Sequence, residues 1–118
     1  MGEIQNSKQY YDLEDRTFKF AKRTRDYCKD LSKMQSNFEY GKQLIRSSGS
    51  VGANYIEANE SLGKKDFLMR IRICRKESKE SIYWLKLTEP DNNKEQEFLI
   101  NEATELMKIF GSILKKSE

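Results

Sequence analysis

With 118 residues and 14.0 kDa, the chain has room for one domain, expected to span residues 1–118. Its 22 Lys+Arg against 19 Asp+Glu give a net charge of +3, and a single proline with six glycines argues against a sandwich or barrel built on many tight turns. Histidine is absent, which removes the commonest acid–base catalyst and the commonest metal ligand together.

The spacing of apolar and small residues predicts four helices, at about residues 12–32, 37–61, 64–88 and 94–115. The first carries Leu13, Thr17, Phe20, Ala21, Thr24, Cys28 and Leu31 on one side. The second starts near Asn37, a suitable N-cap, with Phe38, Gly41, Leu44, Ile45, Ser48, Gly52, Tyr55 and Ile56 on its apolar side. Its weak point is Ser47–Gly52, where propensity favours a break. One continuous helix is nevertheless expected, with the missing side chains of Gly49 and Gly52 letting a neighbouring helix come close. The third carries Phe67, Leu68, Ile71, Cys74, Ser78, Ile82 and Leu85 and is stopped by Glu89-Pro90-Asp91-Asn92-Asn93. The fourth carries Leu99, Ala103, Leu106, Met107, Phe110, Ile113 and Leu114. Short connections between long helices imply an all-α, up-down-up-down antiparallel four-helix bundle.

The third helix has a second apolar side. Met69, Ile73, Trp84 and Leu87 fall nearly opposite the predicted core positions, with Tyr83 beside them, as expected of a contact with another subunit or partner, the alternative being that they fold over the bundle edge or sit singly at the surface. On the second helix, Ser47, Ser50, Asn54, Ala58 and Ser61 form a ridge of small residues away from Leu44, Ile45 and Ile56. Asn54 is placed to fix register across such a contact, joined by Glu57 one turn on. The alternative is a solvated polar face.

Positive charge gathers on the third helix, where Lys65, Arg72, Arg75, Lys76, Lys79 and Lys86 form one flank. On the first helix Lys22, Arg25 and Lys29 form one flank, and Arg16, Lys19 and Arg23 another. Such stripes suit a phosphate backbone. They are also commonly just solvated and paired with acids, for which Glu77 and Glu80 are at hand. Phe18, beside Lys22, Arg25 and Lys29, is the aromatic nearest to these basic residues and gives thin support for stacking on single-stranded bases.

Catalytic and cofactor signatures are missing, so no enzyme, no cofactor and no metal is expected. Cys28 and Cys74 fall on core sides as packed thiols, and two sulfurs without histidine make no four-ligand zinc set. No Gly-Lys-Ser/Thr follows the Ser47–Gly52 segment, so it is no phosphate-binding loop. No apolar run is long enough to span a membrane and no signal-peptide pattern opens the chain, so a cytoplasmic setting is the default expectation.

The run Ser50-Val51-Gly52-Ala53-Asn54-Tyr55-Ile56-Glu57-Ala58, then Lys65-Asp66-Phe67, Lys76-Glu77, Glu80 and Tyr83-Trp84-Leu85, resembles the four-helix-bundle proteins encoded in intervening sequences of bacterial 23S rRNA genes. Glu102-Ala103, Glu105-Leu106 and Ile109-Phe110 carry the resemblance into the last helix, so that it covers about residues 12–115. It implies a bundle in which Ser47–Gly52 stays helical and a ring-like homo-oligomer, most simply a pentamer, with a basic surface for nucleic acid. Relatives of that family include accessory proteins of diversity-generating retroelements. No catalytic residues come with the resemblance, and Cys74-Arg75 departs from the small or apolar residues usual there. The leading expectation is a non-enzymatic oligomer that holds rRNA or other structured nucleic acid by its phosphates. The alternative is a protein-interaction scaffold or an accessory subunit of a ribonucleoprotein or reverse-transcriptase system.

Overall fold

The computed structural model describes residues 2–117, with side chains from residue 13 onward. Four helices are present among them: α1 (Gly2–Lys29), α2 (Gln35–Asn59), α3 (Lys64–Leu87) and α4 (Lys94–Lys116), with no strand. Helix α1 begins at Gly2 rather than near Asp12. Each helix packs on its neighbours in sequence and α4 closes back on α1, while the diagonal pairs meet only through side chains across the core, as Tyr55 does with Phe110 at 6.0 Å between ring centroids.

Contacts between neighbours run in opposite directions along the chain. Ser47 meets Ser81, Val51 meets Cys74 and Asn54 meets Arg70, so numbers rise on α2 as they fall on α3. Arg16–Glu102 and Arg23–Glu95 show the same for α1 and α4, and Thr17–Gly52 and Cys28–Gly41 for α1 and α2. Each of these three adjacent pairs is antiparallel, as short connections require.

The core runs along the bundle axis from Leu13, Phe20 and Tyr27 of α1 through Leu44, Val51 and Tyr55 of α2 to Ile71 and Leu85 of α3 and Leu99, Leu106 and Phe110 of α4. Burying each such side chain contributes about 1.5–3 kcal/mol. Small side chains line the α2–α3 seam. Ser47 and Ser81, both fully buried, hydrogen-bond to each other at 2.9 Å, and Cys74 donates to the Val51 carbonyl at 3.4 Å.

This seam overturns the expected orientation of α2. Ser47 and Ala58 face the bundle instead of lying away from it, while Phe38, Ile45 and Ile56 are exposed. Asn37 is not the N-cap, a position held by Met34. The Asn37 side chain is buried and ties together two loops. Its Nδ2 donates to the Ser32 carbonyl at 3.3 Å and the Glu89 carbonyl at 3.1 Å, and its Oδ1 accepts from the Glu89 amide at 2.8 Å.

The Ser47–Gly52 segment is continuous helix within α2. Gly52 carries this by proximity, since a Cβ there would meet Thr17 Oγ1 at 3.0 Å. Gly49 does not share that role, because a Cβ there would meet nothing within 4 Å. No described helix is long and apolar enough to cross a membrane.

Candidate nucleic-acid interface

On α3, Lys65, Arg72, Lys76 and Tyr83 are spaced seven, four and seven residues apart, which places them within about 20° of one line along the helix. All four are exposed, with Lys79 and Met69 flanking the line. Between this line and the end of α4 lies an open cleft of about 670 Å³ lined by Arg72, Arg75, Lys76, Lys79, Leu68, Leu114 and Ser117. Arg75 is exposed and leaves the packing of its neighbour Cys74 undisturbed. Its guanidinium lies over α4 beside Gly111, where an added Cβ would stand 3.7 Å from Nε.

The acids at hand for these cations are turned elsewhere. Glu77 and Glu80 face α2, and Arg46 of that helix takes both: its Nη1 bonds Glu77 at 3.0 Å and its Nη2 bonds Glu80. Glu77 is nearly buried in that pair. Among the described residues, Arg72, Arg75, Lys76 and Lys79 therefore make no ion pair, so four like charges share one cleft. Desolvation competes little with a ligand here, since these side chains are exposed and not locked to an acid.

The basic residues of α1 are not brought to this cleft. Lys22, Arg25 and Lys29 are exposed on the helix diagonal to α3, and Arg25 pairs with Asp26 at 3.0 Å. The other α1 flank is neutralised. Arg16 grips Glu102 with two hydrogen bonds of 2.7 and 2.8 Å, Lys19 pairs with Asp15 at 2.8 Å, and Arg23 pairs with Glu95 while its guanidinium covers the Phe98 ring.

The residues expected at an oligomer contact separate into two groups. Met69, Tyr83 and Glu57 are exposed, whereas Ile73, Trp84 and Leu87 are half-buried. Trp84 turns toward α2, where its ring stacks on Tyr40 at 5.9 Å, with Tyr83 edge-on at 5.0 Å on α3. Asn54 is engaged within the chain, donating to the Ser50 carbonyl at 2.9 Å and accepting from Arg70 at 3.0 Å. Sequence reasoning missed Arg46 and Tyr40, which both face α3. The signal was an arginine on α2 with no acid of its own at helical spacing.

Both thiols are held in the protonated form. Burial pushes Cys74 up to about 12 and Cys28 up to about 11 from an ordinary 9.0. No group of three potential metal-ligating side chains occurs among the described residues.

Fold and cleft together define a four-helix protein with a cluster of unpaired cations on one outer helix. Residues 10–112 match the model of the 23S rRNA-intervening sequence protein family, and the chain belongs to that family. A solved structure similar to it is a protein of unknown function from the S23 ribosomal protein family of Bacteroides thetaiotaomicron, 36% identical, with a TM-score of 0.79 over 87% of this chain and 98% of that one. No curated protein matches the sequence.

Proposed function

We propose that the protein is a non-enzymatic, cytoplasmic nucleic-acid-binding protein that acts as a homo-oligomer and holds structured RNA by its phosphates in the α3–α4 cleft. The observation that carries this reading is the diversion of Glu77 and Glu80 to Arg46, which leaves Arg72, Arg75, Lys76 and Lys79 without acids of their own. Arginine adds bidentate grip on phosphate oxygens. Phosphate contacts alone give affinity without sequence selectivity, and the affinity falls steeply with salt. Lys65 extends the cleft along α3, and Lys22 and Lys29 on the far side offer a second, separate contact.

Self-association is supported by Phe38, Ile45 and Ile56, which are exposed along one line of α2. Repetition of the cleft in a ring, five copies being the number the family resemblance favours, multiplies weak phosphate contacts into avidity. The same apolar line supports the second reading, an accessory subunit that docks on a protein such as a reverse transcriptase.

Titration of a structured rRNA fragment at low and moderate salt, with wild type and the Arg72→Glu/Lys76→Glu variant, tests the first reading. Wild type should bind at low salt and weaken steeply as salt rises, and the variant should lose binding with its oligomeric state unchanged. Equal affinities, or no binding by wild type at low salt, favour the accessory-subunit reading.

A further inference from the structure

Tyr83 does not belong with the half-buried Trp84. It stands on the exposed line of α3 that Lys65, Arg72 and Lys76 define, four residues beyond Lys79. From Lys65 to Tyr83 this line is about 27 Å long at 1.5 Å per residue. Tyr83 is 59% exposed, yet its ring is not loose: it sits edge-on to Trp84 at 5.0 Å and 73°, and Trp84 is itself backed by Tyr40 of α2 at 5.9 Å and 26°. Two rings thus brace an exposed aromatic at the end of a row of unpaired cations.

Duplex nucleic acid has no use for such a ring, because its bases are stacked on one another. An unpaired strand does. Cations that track its phosphates and an aromatic on which a splayed base stacks are the two parts of a single-strand site, and a base presents a flat π-face whatever its identity. We propose that Tyr83 is a stacking platform and that the α3 face takes an unpaired RNA strand, its phosphates on Arg72, Lys76 and Lys79 and one base on Tyr83. This rests on the nucleic-acid reading above and narrows it from RNA in general to looped or single-stranded RNA.

Trp84 is the only tryptophan in the chain, so its emission reports on the ring cluster directly. The test titrates a single-stranded RNA of about 12 nucleotides, and the same strand annealed to its complement, into wild type, Tyr83→Ala, Tyr83→Phe and Arg72→Glu/Lys76→Glu. The single strand should bind wild type more tightly than the duplex and quench Trp84 emission. Tyr83→Ala should lose about tenfold on the single strand and less than about twofold on the duplex, while Tyr83→Phe keeps both affinities. Helicity and oligomeric state of Tyr83→Ala should equal those of wild type. Unchanged single-strand affinity in Tyr83→Ala, a preference for duplex, or dissociation of the Tyr83→Ala oligomer overturns the stacking role. If the charge-reversal variant still loses binding, the phosphate reading survives that outcome; if it binds as wild type does, that reading falls as well.

Discussion

Gly52 of α2 and Thr17 of α1 touch where no side chain fits between them: a Cβ on Gly52 would stand 3.0 Å from Thr17 Oγ1 and 3.3 Å from Thr17 Cβ. Thr17 is buried and its hydroxyl donates to the Glu14 carbonyl at 3.1 Å, so it has little freedom to move aside. The missing side chain lets α1 and α2 approach closely at this point. It also explains why a glycine that weakens the helix by its own propensity sits inside α2.

Replacing Gly52 with Leu should therefore destabilise the bundle by about 1–3 kcal/mol, through overpacking against Thr17. Gly49 provides the contrast. It is exposed with open space around it, so Gly49→Ala should stabilise by about 0.5–1 kcal/mol, the helix-propensity gain alone. Urea denaturation of both variants checks the pair. Equal effects of the two substitutions would remove the close-approach account.

Asn37 predicts a second sensitivity, at the opposite level of the structure. Its amide joins the α1–α2 loop to the start of the α3–α4 loop through Ser32 and Glu89, and it does so while buried. Asn37→Ala leaves the Glu89 amide and carbonyl without that partner and should cost about 1–3 kcal/mol. Hydrogen exchange should rise at Glu89 in particular. A variant as stable as wild type would mean that water replaces the side chain without loss.

The four helices and their order were legible because each core stripe keeps helical period and each connection carries turn residues, Pro90 to Asn93 most clearly. The side of α2 that faces α3 was not. Periodicity sets Ile45 and Ile56 inside and Ser47 and Ala58 outside, yet the α2–α3 seam needs Ser47 and Ala58 inside, and so Ile45 and Ile56 end outside. Asn37 misled because the residue types that cap helices are the same types that clamp loops. For the candidate site, the basic row on α3 was visible at its spacing, and Tyr83 was visible as an outward residue. Two facts needed the third dimension: Glu77 and Glu80 point to Arg46 rather than to their own helix, and Trp84 stacks on Tyr40 of α2. A helical wheel gives the direction of a side chain but not the neighbour that waits there.

The cysteines predict how stability depends on pH. Burial holds the folded thiols of Cys74 and Cys28 at about 12 and about 11, above the ordinary 9.0 they regain on unfolding. Above about pH 9 the unfolded chain therefore binds fewer protons than the folded one, so the contribution is whole below that pH and is lost as pH climbs through the folded values. Burial also raises Tyr27, partly offset by its hydrogen bond to Thr88, and adds to the same trend. The denaturation midpoint should fall between about pH 8 and pH 10.5, with a shallower slope in a Cys28→Ala/Cys74→Ala variant. Parallel slopes for the two proteins would show that the thiols are not the groups responsible.

Arg46 joins stability to function, since it is the group that keeps two acids away from the cationic cleft. In Arg46→Ala, Glu77 is left nearly buried without its cation, and the fold should lose about 1–3 kcal/mol. Glu80 is released four residues beyond Lys76 on the same helix, the spacing at which lysine and glutamate pair. Partial neutralisation of Lys76 should then weaken RNA binding severalfold and reduce the salt dependence by about one phosphate contact, although no residue lining the cleft has been changed. Arg46→Ala/Glu80→Ala should recover the wild-type affinity and salt slope while remaining less stable. If the double variant binds as weakly as Arg46→Ala, the diverted acids are not what keeps the cleft charged.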